Sequence, residues 1–235
     1  MNPYDKLISR KRKWTPVAVT GGSVAEGTED TISRCLALRV LEIPVGDFIK
    51  EASAREIPES AREILLMNIT DEENHDTALQ YVADSYSVDA KATAEANNLA
   101  QAWINHPDHP IVKAMVLERS IFFTILPFFR AFGNDGMRTT SADISRDEQI
   151  HVATNSLVCA ELGLSPSPSL DKLRKATAHW LFQSLQGDEK LDKKFWLNSS
   201  DNLMYQGKAP ELSFTRSARM PAFFEHSNVN LPQYA

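Results

Sequence analysis

Ser145-Arg146-Asp147-Glu148-Gln149-Ile150-His151 is the stretch that decides how the chain folds. Glu148 and His151 are three residues apart, so on a helix they stack on one face. A carboxylate above an imidazole, turned into a helix bundle, is half of a binuclear metal site. The same pattern occurs at Glu72-Glu73-Asn74-His75. With 16 Glu and 6 His in 235 residues, chance alone gives about 0.4 such pairs, so the surroundings have to decide. They do: Glu42 lies 30 residues before Glu72, Glu118 lies 30 before Glu148, and the set repeats at an offset of 76.

That spacing has a geometric reading. From Glu42 the chain climbs about ten residues, turns near Arg55 to Pro58 and descends about twelve, roughly 15 Å up and 18 Å down. From Glu118 it climbs about thirteen, turns at Gly133-Asn134-Asp135-Gly136 and descends about eleven. Glu42, Glu72, His75, Glu118, Glu148 and His151 can then meet in one layer. One Glu from each of two helices and Glu-x-x-His from each of two others is the donor set of carboxylate-bridged dimetal bundles. Carboxylates and imidazoles suit Fe or Mn, and four carboxylates offset most of the charge of two divalent ions. Zinc fits less well, since structural zinc favours tetrahedral, Cys-rich sites. Asp71, Glu73 and Asp76 offer alternative registers, but solvated-face charges are their expected role.

The flanking pattern is helical throughout. An apolar fraction of 43% supports a sizeable core, and only 9 Gly with few β-branched runs favour helix over sheet. Residues 1–27 read as an irregular arm, 28–207 as the helical domain and 208–235 as a tail. Helices are expected from Thr28 to Ser53, with a distortion at Pro44, and from Pro58 along the stripe Leu65, Ile69, Glu72, His75, Leu79, Val82. Others are expected over 89–105, outside the site; 111–132, distorted by Pro127; 137–162, stopped by Gly163; 170–185; and 189–205. The fold class is all-α, a ferritin-like four-helix bundle with additional helices.

The net charge of −6 and pI near 5.5 argue against a nucleic-acid partner. The basic run Arg10-Lys11-Arg12-Lys13 reads as a solvated arm. Cys35 and Cys159 lack metal or redox spacing and read as buried thiols. No apolar segment is long enough to span a bilayer and none resembles a signal region, so a cytoplasmic setting is expected.

Ile144-Ser145-Arg146-Asp147-Glu148-x-x-His151 resembles the second metal-binding helix of class I ribonucleotide reductase small subunits. Glu118-Arg119-Ser120-Ile121-Phe122-Phe123 is similar to the preceding helix of the eukaryotic-type members, and Phe223-Phe224-Glu225 with Tyr234 resembles their C-terminal segment. The likeness covers roughly residues 28–160 and this tail, in a chain more compact than typical members. It implies two ions, Fe/Fe, Mn/Fe or Mn/Mn, held by the six donors. It also implies an apolar pocket at Leu79, Phe122, Leu126 and Ile144, and radical transfer through Asp147, behind His75, to Trp14 and Tyr234. Trp14 reads equally well as a packing anchor, being nearer Glu42 than the family spacing. A separate large subunit and a homodimer are the implied partners. Two features depart from the family. Leu79 stands where the radical-bearing Tyr usually lies, with Tyr81 facing elsewhere, and the sequence ends one residue after Tyr234, where members usually continue into a docking tail. Loss of that Tyr with a Glu first ligand resembles the Tyr-less members that use a Mn/Fe pair. It also resembles oxidases of the same family, leaving a stand-alone dimetal oxidase acting on a small apolar substrate, or ferritin-like metal storage, as alternatives.

Overall fold

Local signals along the chain set the helices of the computed structural model, which describes residues 2–55 and 57–210. The N-terminal helix α1 (Pro3–Ile8) starts where the Asn2 side chain accepts from the Tyr4 amide, with Pro3 suited to a first helical position. Residues 1–27 are therefore not irregular throughout, as composition suggested: this capped turn forms and packs on the long helices. A strap, residues 9–28, leads into α2 (Glu29–Ala37), a 3-10 turn (Leu38–Leu41) and α3 (Glu42–Ser53). The turn sits just before Pro44, which has no N–H to give the Val40 carbonyl. Next come α4 (Glu59–Tyr86) and α5 (Ala90–Ile104), the latter capped by Asp89 accepting from the Ala92 amide at 2.8 Å.

The segment expected as one helix over 111–132 is divided into α6 (Pro110–Val116), a π-helical turn (Leu117–Phe122) and α7 (Phe123–Phe132). The expected distortion lies upstream of Pro127, at the turn that carries Glu118. Wider π-helical turns free carbonyls from the regular ladder and occur often at functional positions. The Thr124 hydroxyl donates to the Ser120 carbonyl at 2.6 Å and so satisfies one of them. Helix α8 (Asp135–Glu161) starts two residues earlier than the turn signal implied, because Asn134 accepts from the Met137 amide and caps it. Gly163, at φ +65°, ends it as expected, with the Leu164 amide bonded to the Cys159 carbonyl. Helix α9 (Pro168–Phe182), capped by Ser167, is displaced towards the N-terminus of its expected span. A short 3-10 turn (Glu189–Leu191) precedes α10 (Lys193–Gln206). No strand forms among the described residues; an isolated bridge pairs Gln186 with Asp192.

The architecture is all-α. Four columns make the bundle: α2–α3, α4, α6–α7 and α8, with α3 on α4, α7 on α8, α4 on α8, and α6 on both α3 and α8. Helix α5 lies outside, against α2, the first 3-10 turn and α9, as the Ala-rich sequence suggested. Helices α9 and α10 cover the π-helical turn and α7. The buried aromatic cluster of Phe128, Phe182 and Trp196 fixes that cover, with ring centroids 5.0 to 5.6 Å apart. Arg174, fully buried, ties α9 to both neighbours through the hydroxyls of Ser120 and Ser200 and the carboxylate of Asp201. The strap crosses the α7–α8 turn, where the Asp135 amide donates to the Gly21 carbonyl at 3.2 Å. A Cβ on Gly136 would lie 2.5 Å from the Val19 carbonyl oxygen, so only glycine permits this crossing. No helix among the described residues is long and apolar enough to cross a membrane. Phe223, Phe224, Glu225 and Tyr234 lie outside the described residues.

Candidate metal centre

Helical pitch and bundle packing bring the six sequence-derived donors into one buried layer. Glu72 and His75 project from α4, Glu148 and His151 from α8, Glu42 from the start of α3 and Glu118 from the π-helical turn. All six are at most 3% exposed. Around His75 Nδ1 lie Glu148 Oε1 at 3.3 Å, Glu72 Oε2 at 3.5 Å and Glu42 Oε2 at 3.9 Å. Around His151 Nδ1 lie Glu72 Oε1 at 2.8 Å, Glu118 Oε1 at 3.8 Å and Glu148 Oε1 at 3.9 Å. Glu72 and Glu148 therefore serve both histidines, whereas Glu42 belongs to one side and Glu118 to the other. The two imidazoles stack with centroids 5.5 Å apart.

The donors fit cations on a direct observation. Glu42 Oε2, both oxygens of Glu72 and Glu148, Glu118 Oε1 and both Nδ1 atoms are buried without a hydrogen-bond partner. Buried carboxylates and imidazoles left this way are costly unless something positive sits among them. Ionisation tells the same story. Burial, then the Glu72 charge, pushes the Glu42 carboxyl well above its usual range; burial, then Glu148, does the same to Glu118. Burial also raises Glu148. Burial alone would lower both histidines, but the carboxylates crowded around it, Asp147 on Nε2 and Glu148 and Glu72 beside Nδ1, hold His75 well above its ordinary value. The charge of Glu72 beside Nδ1 and the Asp71 carboxylate on Nε2 likewise lift His151 to about 10. Glu72 alone is lowered, to about 2, by the neighbouring His151 and His75; at the other donors a raised proton affinity offsets the crowded negative charge, as bound cations would. The buried Glu72–His75–Glu148–His151 cluster can bind a metal ion pair.

Each imidazole turns Nδ1 inward and Nε2 outward to a carboxylate. His75 Nε2 is 3.4 Å from Asp147 Oδ2, and the same oxygen accepts from Trp14 Nε1 at 2.6 Å. Trp14 is 8% exposed and its ring stacks on His75 with centroids 6.3 Å apart. His151 Nε2 is 3.0 Å from Asp71 Oδ2. Outer carboxylates of this kind fix the tautomer and orientation of a ligand imidazole. Asp71 is thus not the solvated-face charge its neighbours suggested: it is 8% exposed and faces α8. A signal for it existed, because Asp71 precedes Glu72 as Asp147 precedes Glu148, at the same offset of 76. Glu73 is exposed, and Asp76, half-buried, pairs with Arg39 at 2.6 Å.

The basic run Arg10-Lys11-Arg12-Lys13 differs in part from the solvated arm expected of it. Arg10 and Lys13 are exposed as expected, but the two residues between them pass over the outer carboxylates. The Lys11 side chain is 5% exposed and its ammonium bonds Asp71, and Arg12 reaches Asp143 at 3.2 Å and Asp147 at 3.4 Å. Unpaired buried carboxylates draw these cations in, which charge counting along a terminus does not reveal. Asn155, one turn beyond His151, donates to Glu118 Oε2 at 2.6 Å; no sequence signal marked it.

Leu79, Phe122, Leu126 and Ile144 line one cavity together with Glu42, Cys35 and Phe129. Its free volume is about 10 Å³, room for one water-sized molecule. Cys35 and Cys159 are free and buried, and burial raises both thiols. Tyr81 points away from the site, 40% exposed. In comparison with known proteins, the chain matches no family model and no curated sequence. Fold and site together define an all-α bundle built around a buried carboxylate–histidine cluster compatible with a ferritin-like dimetal centre.

Proposed function

We propose that the chain is the radical-generating small subunit of a class I ribonucleotide reductase, acting with a separate large subunit as part of a homodimer. The observation that carries this reading is the hydrogen-bonded line from the donor layer to the strap, His75 to Asp147 at 3.4 Å and Asp147 to Trp14 at 2.6 Å. An indole tied through a carboxylate to a ligand imidazole is a route for an oxidising equivalent; the other buried indoles, Trp103 and Trp196, donate to Thr177 and to the Lys190 carbonyl and have no such link to the donor layer. Two bound ions, Fe/Fe or Mn/Fe, would supply oxygen activation and hold the oxidising equivalent. The chain's own residues bind and insulate. Glu42 and His75 would hold an ion on one side and Glu118 and His151 on the other, with Glu72 and Glu148 close to both histidines. Phe122, Leu126, Ile144 and Leu79 keep bulk water from the layer.

Leu79, an aliphatic side chain where a phenol is expected, favours a second reading, a stand-alone oxidase. The cavity of about 10 Å³ speaks against it, since an organic substrate needs far more room. Mixing the loaded chain with a cognate large subunit and measuring metal- and oxygen-dependent deoxynucleotide formation tests the proposal. Trp14→Phe should retain both ions and lose reduction; Tyr234→Phe should do the same, which would also exclude metal storage. An intact metal site with no reduction, or oxidation of a small apolar compound by the isolated chain, would overturn the reading.

A further inference from the structure

The two halves of the donor layer are built alike by α4 and α8, yet the strap treats them differently. Asp71-Glu72-x-x-His75 and Asp147-Glu148-x-x-His151 are exchanged across the bundle: Asp147 backs His75, and Asp71 backs His151. On the His75 side, Asp147 accepts the neutral indole N–H of Trp14 at 2.6 Å on the oxygen that faces His75, while Arg12, shared with Asp143, reaches only the other oxygen, at 3.4 Å. On the His151 side, the Lys11 ammonium bonds Asp71 and lies 3.4 Å from His151 Nε2 itself. A positive charge thus touches the outer nitrogen of one ligand imidazole, and an uncharged ring covers the other. Lys11 is held there by a side chain 5% exposed, at the wall of a surface cleft of about 370 Å³ that Trp14 and Asp71 also line.

A charge in this place acts through Asp71 and His151. An unshared Asp71 carboxylate would draw the Nε2 proton and make Nδ1 a stronger donor. Lys11 takes up part of that negative charge and adds its own repulsion towards a cation on the inner side. We infer that Lys11 is a positioning residue that weakens cation binding at the His151–Glu118 side relative to the His75–Glu42 side, so that the two ions load in order, the His75 side first. The inference rests on the two-ion reading of the layer.

The test is calorimetric titration of the metal-free full-length chain with Mn(II) under anaerobic conditions, where Mn(II) does not turn over. The wild type should take up two ions in separable steps, the second about tenfold or more weaker, given the 10–100-fold reach of outer-shell partners. Lys11→Met and Lys11→Gln should tighten the second step about tenfold and leave the first within about threefold. Lys11→Arg, which keeps the charge, should restore the wild-type gap. Anomalous scattering at limiting Mn(II) should place the first ion beside His75. A strap that merely packs predicts something else: both steps weakened together, and Lys11→Arg no better than Lys11→Gln. That result overturns the inference, as would unchanged steps in all three variants, a first ion beside His151, or variants that fail to fold unless Mn(II) is present with no change in the gap. Fewer than two ions per wild-type chain would instead overturn the two-ion reading, and the inference with it.

Discussion

Loading the metal-free chain with two Mn(II) ions at pH 7 should expel between about two and four protons. The magnitude follows from the buried layer. His151 is lifted to about 10 and His75 well above its ordinary value, so both imidazoles enter the titration protonated. Each must give up its inward Nδ1 proton to accept an ion, while the Nε2 proton stays with Asp71 or Asp147. Glu42 and Glu118, raised well above the carboxylate range, add up to two more. The same six side chains in water would release only about 0.5 proton, nearly all from histidine at its reference pKa of about 6.5. Titration calorimetry in two buffers of different ionisation enthalpy reads the number directly. A release near 0.5 or below would show that the donors are not held as a buried, proton-compensated cluster, and would refute the reasoning.

Four further outcomes are expected. Without metal, stability should fall as pH rises from about 6.5 towards 10, because the raised His151 is stabilising while protonated and loses that contribution between its unfolded and folded values; urea melts across this range should show the slope, and saturating Mn(II) should flatten it. Asp71→Asn removes the carboxylate behind His151 while leaving Lys11 in place, and should weaken the second Mn(II) step about 10–100-fold in the same calorimetric titration. Arg174→Leu breaks a fully buried guanidinium network whose acidic partners are partly exposed, so a loss of about 2–3 kcal/mol of unfolding free energy is expected, read from urea denaturation. Arg174→Lys should recover little of it, since one ammonium cannot span Ser120, Ser200 and Asp201 together.

The parts of this protein legible in its sequence are those set by helical periodicity. Glu-x-x-His twice, each with a Glu 30 residues before it, places six donors at one height, because rise per residue and hairpin length are nearly fixed. The π-helical turn under Glu118 was not legible: Pro127 marks a disturbance, but where the ladder widens depends on how α9 and α10 clamp Ser120 and Arg119 from outside. Lys11 and Arg12 depart from expectation because a short basic run near a terminus is ordinarily solvated, and only the packed bundle reveals Asp71 and Asp147 beneath it. Asp71 could have been found, since the offset of 76 that relates the ligands relates it to Asp147 as well. Asn155 has no such partner: the corresponding place after His75 is Leu79, and that asymmetry separates the polar end of the layer from its apolar cavity.

Anomalous diffraction at the Mn and Fe edges from crystals of the metal-loaded chain bears most directly on the centre itself. Two peaks per chain are predicted, one flanked by Glu42 and His75, the other by Glu118 and His151, with Glu72 and Glu148 between them. A single peak, or density held by Glu73, Asp76 or other residues outside the layer, would contradict the account.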